Sequence, residues 1–576
     1  MQDVVVLKFG SSVLRSRGDL PAAVHEIYRW YRDGHRVVAV VSAIGSTTDS
    51  LLAEASLLQA EPEPGALAEL LATGERAAAA LLCIALDRAG VPARVADPRE
   101  IRLSAVGSVL DSELAAVNQE RLEELLEAAP VLVLPGFFGH DAHGRLHLLG
   151  RGGSDVSAIF VAGATRARRC RLIKDVDGVY DRDPAASADQ AAHLLSFVDY
   201  ESAVERASQL VQPKAVRLLE KHAGSVEVAG LCQPYETLVG DFETERRAMN
   251  PCPPARVLLL GLGTVGFGVY RRLEEFPRHF RIVGAFCRDL ARHASAGVPA
   301  AQLIAAESKL ASLEPDIVVD ALPSEGPSHA LVSRFLASGV HVVTANKALV
   351  ASGARDLQRL AAGNGVALHY SATVGGSAPM IEAIERSADA GEIHAIAGIL
   401  NGTSNFILDR CTSGLSFGDA TAEAQGRGFA EADPSDDLSG ADAERKLRIL
   451  ARHAFGQELD VVDREGLSGT GIARARQAAR QGESLRQVAR AWREHGRLHG
   501  EVRLVAVPAG HPLAGVRAEW NALQVTRANG ATTTVTGRGA GRWPTTEAIV
   551  ADLLRIRFRQ IDAAFGAAAA ARSGRG

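Results

Sequence analysis

Short apolar runs alternate with helix-length stretches rich in Ala, Leu and Glu through most of the chain. The first set is VVVLKFG (Val4 to Gly10), VVAVVSA (Val37 to Ala43), VLVLPGF (Val131 to Phe137) and RLIKDVDG (Arg171 to Gly178). A second set is RVLLL, RIVGAF, DIVVDAL and VHVVTA, between Arg256 and Ala345. Continuous β-branched runs spaced by helices predict parallel sheets covered on both faces. From about Gly391 the rhythm changes. Loops rich in Gly, Asp and Ser alternate with helices, and then EVRLVAVPA and ATTTVTG read as strands. Between the two α/β blocks lies DFETERRAMNPCPP (Asp241 to Pro254), which is polar and too rich in proline for a regular element. The pattern predicts an α/β domain over 1–240, a linker over 241–255 and a nucleotide-binding domain over 256–390. A third, α+β domain follows over 391–534. The tail 561–576 is low-complexity and is expected to fray.

At 576 residues the length fits several domains. A net charge of -5 gives no reason to expect a nucleic-acid or membrane partner. No apolar run approaches the length of a membrane span, and no signal peptide is visible. The six cysteines are scattered singly, as in a reduced cytoplasmic protein. The uneven feature is in the bases. Seven lysines (Lys8, Lys174, Lys214, Lys221, Lys309, Lys347 and Lys446) stand against 56 arginines. Arginine replaces lysine on a solvated surface but not where a compact or titratable amine is needed. Lys214, Lys221 and Lys309 fall on helix-like stretches that read as solvated.

Gly261-Leu-Gly263-Thr264-Val265-Gly266 follows a predicted strand and opens a predicted helix, which is the context a dinucleotide pyrophosphate requires. Arg288 stands after the second strand, where an NAD enzyme carries an acidic residue, which leans toward the 2′-phosphate of NADP. Asn346 and Lys347 end a strand, at the position where open α/β sheets bind ligands. In GFAEADPSDDLSGADAERKL (Gly428 to Leu447), Asp442 and Lys446 are four apart on one helix face. Read alone, that motif is equally a surface ion pair beside an acidic loop.

These motifs, with SATVGGSAP (Ser371 to Pro379), GILNGTSNFIL and GRGAGRWPTTEAIVADLL, resemble homoserine dehydrogenase. That resemblance implies a Rossmann-type domain completed by 535–560, a substrate and dimerisation domain, and reduction of aspartate 4-semialdehyde with NADPH, or NADH. It implies that Lys446 gives the proton and Lys347 polarises the carbonyl. Gly428, Glu431, Asp437 and Asp442 would hold the substrate. Ser324 and Gly541 join the cofactor set. Val374, Gly376 and Ala378 would offer carbonyls to Na⁺ or K⁺, although Ser371 stands where the family has glutamate, so a negative ligand is missing. The family assembles as a homodimer or homotetramer.

In the first block, Lys8 and Gly10 end a strand, GRGGSD (Gly150 to Asp155) precedes a helix, and KDVDGVYDRDP begins at Lys174. Lysine beside glycine suits a phosphoryl group, and arginine with helix-terminal amides suits an anion. With VVSAIGSTTDSLL and LLATGERAAAALL, these resemble aspartate kinase, an amino-acid kinase with an α/β/α sandwich. The resemblance implies ATP with Mg²⁺, held by Lys8, Gly10, Ser11, Lys174, Asp175, Tyr180 and Asp183. Aspartate would be held by Thr47, Glu75 and Arg151, and Asp155 would order the site. Ser11, Ala185 and Gln209 depart from the family pattern, and no regulatory ACT domain follows. Three readings stand: a bifunctional aspartate kinase and dehydrogenase, a dehydrogenase whose kinase-like half serves binding or assembly, or a fusion whose kinase acts on another acidic amino acid such as glutamate.

Overall fold

The computed structural model describes residues 3–182, 192–207, 210–246 and 252–573. Asp183, Ala185 and Gln209 lie outside them. The chain divides into two compact units, one formed chiefly by residues up to Pro251 and the other chiefly by Cys252–Ile561.

The first unit is built on a nine-stranded sheet. Its centre is five parallel strands: β1 (Val4–Phe9), β2 (Arg36–Val41), β3 (Val131–Pro135), β4 (Arg169–Lys174) and β5 (Val226–Gly230), in the order β5-β4-β1-β2-β3. Every residue of β1, β3 and β5 is buried, as expected for strands covered on both faces. Two helices carry site residues, α1 (Pro64–Ala89) and α2 (Gly153–Thr165). A separate four-stranded sheet of Asp111–Ala116, Ser104–Ser108, Phe138–His140 and Leu146–Leu148 was not apparent from the sequence pattern. Its strands are short and partly polar, so periodicity does not announce them.

In the second unit, β6 (Ala255–Leu260) leads through a glycine turn into α3 (Thr264–Leu273), followed by β7 (Phe280–Phe286), β8 (Ile317–Asp320), β9 (His341–Thr344) and α4 (Lys347–Gly363). With two short edge strands they form a six-stranded parallel sheet, ordered Leu303–Ile304, β7, β6, β8, β9, Leu368–His369. The order reverses at β6, so a crevice opens at its carboxyl end. A second sheet holds β10 (Ile393–Ile399), β11 (Glu483–Glu494), β12 (Arg497–Pro508), β13 (Trp520–Arg527) and β14 (Thr532–Arg538). These five pair antiparallel in the order β12-β11-β10-β13-β14, and Asp463–Arg464 adds a parallel edge. The helix α5 (Ala441–Phe455) packs on this sheet through Ala443, Leu447 and Leu450.

The chain then returns to the nucleotide-binding sheet. Helix α6 (Arg542–Ser573) meets α3 so closely that a methyl group at Gly268 would lie 2.4 Å from Thr546 Oγ1. The contact is locked by Arg272, which donates to Glu547; both are buried, and Arg272 also reaches Glu275 at 2.7 Å. Two expectations need correction. Glu245–Arg246, within the expected linker, pair antiparallel with Leu195–Val198 and form an edge strand of the first sheet. Residues 561–573, expected to fray, continue α6, because an alanine-rich stretch has the highest helix propensity. Glu547→Ala, which leaves Arg272 buried without its main partner, is expected to cost about 3–5 kcal/mol. Denaturation followed by loss of dehydrogenase activity measures it.

Candidate active sites

The crevice after β6 is shaped by its glycines. Gly261 has φ +97, and a side chain there would strike the Ala321 carbonyl at 2.8 Å. A Cβ at Gly266 would sit 2.0 Å from the Gly261 carbonyl, so α3 can approach β6 only without one. A Cβ at Gly263 would meet nothing within 4 Å. The first amides of α3 have no side-chain cap, because its N-cap is Gly263 itself. The cradle fits a pyrophosphate. Thr264 is exposed beside Gly263, and Val265 is half-buried. Arg288 is exposed after β7, while the neighbouring Asp289 carboxylate caps the next helix by accepting from Arg292 N at 3.0 Å. The Asp289 carboxylate is thereby spent on the helix cap. Gly541, at φ +118, is exposed just before α6.

At the ends of β8 and β9 lies a buried hydrogen-bond network that motif reading missed. Asp320, fully buried, accepts from Ser328 Oγ at 2.5 Å, Thr344 Oγ1 at 2.8 Å and Leu322 N at 3.2 Å. Burial raises its pKa, and the two hydroxyls partly oppose that rise. Thr344 Oγ1 also accepts from Asn346 N at 3.0 Å. Asn346 caps α4 through Leu349 N (3.1 Å) and donates to the carbonyls of Leu322 (3.2 Å) and Ser324 (3.1 Å). The network fixes the loop carrying Ser324 and the first turn carrying Lys347. A lone Asp at a strand end is a common residue, so only the fold reveals its partners.

Helix α5 begins at Gly440 in the left-handed region (φ +80) and ends at Gly456 (φ +65). Its first turns bring Lys446 Nζ to 2.7 Å from Asp442 Oδ2 and to 2.7 Å from the Leu400 carbonyl. Lys347 Nζ approaches Asp442 Oδ1 at 3.6 Å from the other side. Asn401 Nδ2 donates to both Asp442 (2.9 Å) and Asp437 (2.6 Å). Lys446 and Asp442 are buried, whereas the Lys347 side chain is 44% exposed. Burial and the nearby Lys347 ammonium push the Lys446 pKa down, against the pull of Asp442. Burial works to raise that of Asp442, but the two lysines outweigh it and hold it well below the usual carboxylate range. Glu431 and Gly428 are exposed on the loop before α5, and no contact brings them to this pair.

The glycine loop turns at Gly375 (φ +85) and Gly376 (φ +58). Val374 and Ala378 are buried, and the Ala378 carbonyl accepts from Met380 N at 2.8 Å. Ser371 Oγ donates at 2.5 Å to Glu382, a buried residue eleven positions on, which sequence alignment by motif does not reach.

In the first unit, Lys8 and Lys174 converge from the ends of β1 and β4 on Asp155, in the first turn of α2. The distances are 2.7 Å to Oδ1 and 3.2 Å to Oδ2, and all three residues are buried. Burial opposes ionisation of Asp155, but the two ammonium groups still hold its pKa low. Burial and Lys8 bring the Lys174 pKa down to about 8. Gly10 leaves room for the Lys8 ammonium, which would lie 2.9 Å from a Cβ there. Ser11 and Asp175 are exposed, and Tyr180 bridges to Leu194. Glu75, buried on α1, accepts from Ala43 N at 3.2 Å, and burial lifts its pKa to about 7. Thr47 starts the helix Thr47–Leu58, and its hydroxyl donates to the Ile44 carbonyl at 2.6 Å. Arg151 is exposed between Gly150 (φ +70) and Gly152 (φ +77). Among the described residues no cluster of His, Cys, Asp and Glu could cage a metal ion.

Family models match three segments: "Homoserine dehydrogenase, NAD binding domain" over 261–371, "Homoserine dehydrogenase" over 379–554 and "Amino acid kinase family" over 3–229. Homoserine dehydrogenase of Pseudomonas aeruginosa is 34% identical, over 53% of this chain and 72% of its own length. The chain belongs to the homoserine dehydrogenase family. The Synechocystis homoserine dehydrogenase is 33% identical over 52% of this chain and 73% of its own. A crystal structure of homoserine dehydrogenase from Thiobacillus denitrificans is 36% identical, covering 53% of this chain and 73% of that one, with a TM-score of 0.49. The chain is thus a homoserine dehydrogenase fused to an N-terminal amino-acid kinase domain, and it uses a nicotinamide nucleotide and ATP. Among the described residues no helix is long and apolar enough to cross a membrane.

Proposed function

We propose that the second unit reduces aspartate 4-semialdehyde to homoserine with Lys446 as the proton donor. The observation that carries this is the buried Lys446–Asp442 pair with Lys347 at its open side. A bound nicotinamide nucleotide supplies the two electrons and the hydrogen for the aldehyde carbon. The carbonyl oxygen gains negative charge as this happens, and a preorganised ammonium lowers the energy of that state. Lys347, partly exposed, polarises the oxygen. Lys446 delivers the proton, its acidity raised by burial and by Lys347. Asp442 keeps both lysines in register and, with Glu431, Asp437 and the Gly428 backbone, receives the substrate's ammonium. Arg288 binds the 2′-phosphate of NADPH. Na⁺ or K⁺ would rest on the carbonyls of Val374, Gly376 and Ala378, with Glu382, the acceptor of the Ser371 hydroxyl at the start of the same loop, as the compensating charge.

The first unit phosphorylates aspartate. Lys8 and Lys174 neutralise charge on the phosphates of ATP, with Gly10, Ser11, Asp175, Tyr180 and Asp183 around the nucleotide, and Asp155 holds the two ammonium groups apart. Thr47, Glu75 and Arg151 position the amino acid. Mg²⁺ would be carried between phosphates, since such ions are commonly bound by phosphates and waters with few protein ligands. The six cysteines are free, which suits a cytoplasmic setting. The assembly is a homodimer or homotetramer formed through the β10–β14 sheet.

Three tests follow from these assignments. Lys446→Arg is expected to lower dehydrogenase turnover by about 10²–10⁴-fold while nucleotide binding, read by fluorescence, persists. Retained turnover would remove Lys446 from the role. Arg288→Ala should raise the KM for NADPH by about tenfold or more and leave that for NADH nearly unchanged, the signature of a lost phosphate contact. With ATP, Mg²⁺, aspartate and hydroxylamine, the protein should form the hydroxamate, and glutamate should not replace aspartate. No hydroxamate from an active dehydrogenase would favour a binding or assembly role for the first unit.

A further inference from the structure

Lys214 does not lie where a solvated helix lysine would. It is the second residue of the helix Pro213–Lys221, and its ammonium makes three short contacts with oxygen: Asp111 Oδ1 at 2.6 Å, the Leu149 carbonyl at 2.7 Å and the Ser112 carbonyl at 2.9 Å. Three donors meet three acceptors, which saturates an ammonium. The acceptors come from two segments distant in sequence. Asp111 and Ser112 open a strand of the small sheet, and Leu149 immediately precedes the glycine turn that presents Arg151.

Packing around the turn is equally close. A Cβ at Gly150 would lie 2.4 Å from Asp111 Oδ1, and one at Gly152 would lie 2.5 Å from Gln212 Cβ. Both glycines have positive φ, so the turn has no other residue type to fall back on. The Gly150–Gly152 turn is therefore clamped between the 111–112 segment on one side and the 212–214 segment on the other. Lys214 is the polar tie across that clamp.

We propose that Lys214 is a positioning residue of the kinase half: by pinning the Leu149 carbonyl to Asp111 and Ser112, it sets the direction of Arg151 and hence the grip on the amino-acid substrate's carboxylate. The proposal rests on the aspartate kinase reading. It also explains why this lysine survives in an arginine-rich chain. The three acceptors surround one tetrahedral nitrogen, and a planar guanidinium cannot direct donors to all three from a single point.

The test uses the full chain, because dehydrogenase turnover reports independently that the variants are folded. In Lys214→Met the KM for aspartate is expected to rise by about tenfold or more, with the KM for MgATP within about twofold of wild type. Lys214→Arg should fail to restore it, and dehydrogenase turnover should not change. Hydrogen exchange provides a second readout, in which the amides of Gly150–Gly153 should exchange faster in Lys214→Met. An unchanged aspartate KM with unchanged exchange would overturn the proposal. So would an equal rise of both KM values with a lowered unfolding temperature of the kinase unit, since that marks a general structural role. If the wild-type protein forms no hydroxamate, the kinase reading fails, and the exchange measurement alone decides whether Lys214 holds the turn.

Discussion

Each half of the chain sets one buried carboxylate between two lysine ammonium groups, and the cost of that burial governs both sites. Taking a carboxylate and an ammonium out of water costs several kcal/mol per ion, and their mutual attraction recovers it only with short contacts and further hydrogen bonds. Asp155 obtains these from Lys8 and Lys174, and Asp442 from Lys446, Lys347 and Asn401. Neither arrangement is a good way to stabilise a fold, since apolar side chains of similar volume would do as well or better. Its product is an amine in a defined place with a pKa below its ordinary value: Lys174 at the end of a strand and Lys446 on a helix.

The rest of the architecture serves that placement. Parallel strands bring Lys8 and Lys174 to the same edge from different parts of the chain, and the uncapped first turn of α2 supplies Asp155. In the second unit the partners belong to different layers. Lys347 rises from the nucleotide-binding sheet, while Asp442 and Lys446 sit on a helix backed by the antiparallel sheet. Their meeting requires the two layers to stay in register. The Asp320–Thr344–Asn346 network secures the Lys347 side, and the return of α6 onto α3, locked by Arg272 and Glu547, ties the late chain to the helix that follows the glycine turn.

Much of this was legible in the sequence, for identifiable reasons. The strands of both parallel sheets are continuous apolar runs, and the Gly261–Gly266 turn, the Asp442/Lys446 spacing and the lysines at strand ends carry their chemistry locally. What escaped is non-local. The strands β10, β11 and β13 mix buried and part-buried positions and are interrupted by arginine, glutamine and glycine, so ESLRQVARAWRE reads as a polar helix as easily as a strand. Asp320, Glu382 and Lys214 are ordinary residues in ordinary contexts, and their meaning depends on partners tens of positions away or across elements. The scarcity of lysine drew attention to Lys8, Lys174, Lys347 and Lys446, which the fold gathers in pairs around Asp155 and Asp442. It placed Lys214 among the solvated residues because helical periodicity cannot report an ammonium folded back onto another segment's carbonyls.

A chain with only seven lysines permits a direct test of the central claim. Protein labelled with ¹³C at the lysine ε-carbons gives one resonance per lysine, each assignable by a single Lys→Arg substitution. The Lys174 resonance should titrate with a midpoint of about 8, and the Lys446 resonance should be displaced in the same direction, below the ordinary lysine value of 10.5. Substitution of Lys347 should move the Lys446 midpoint upward, since it removes a neighbouring positive charge. If Lys174 and Lys446 instead titrate at or above 10.5, the buried amines are fixed charges held by their carboxylates and the account of both sites is wrong.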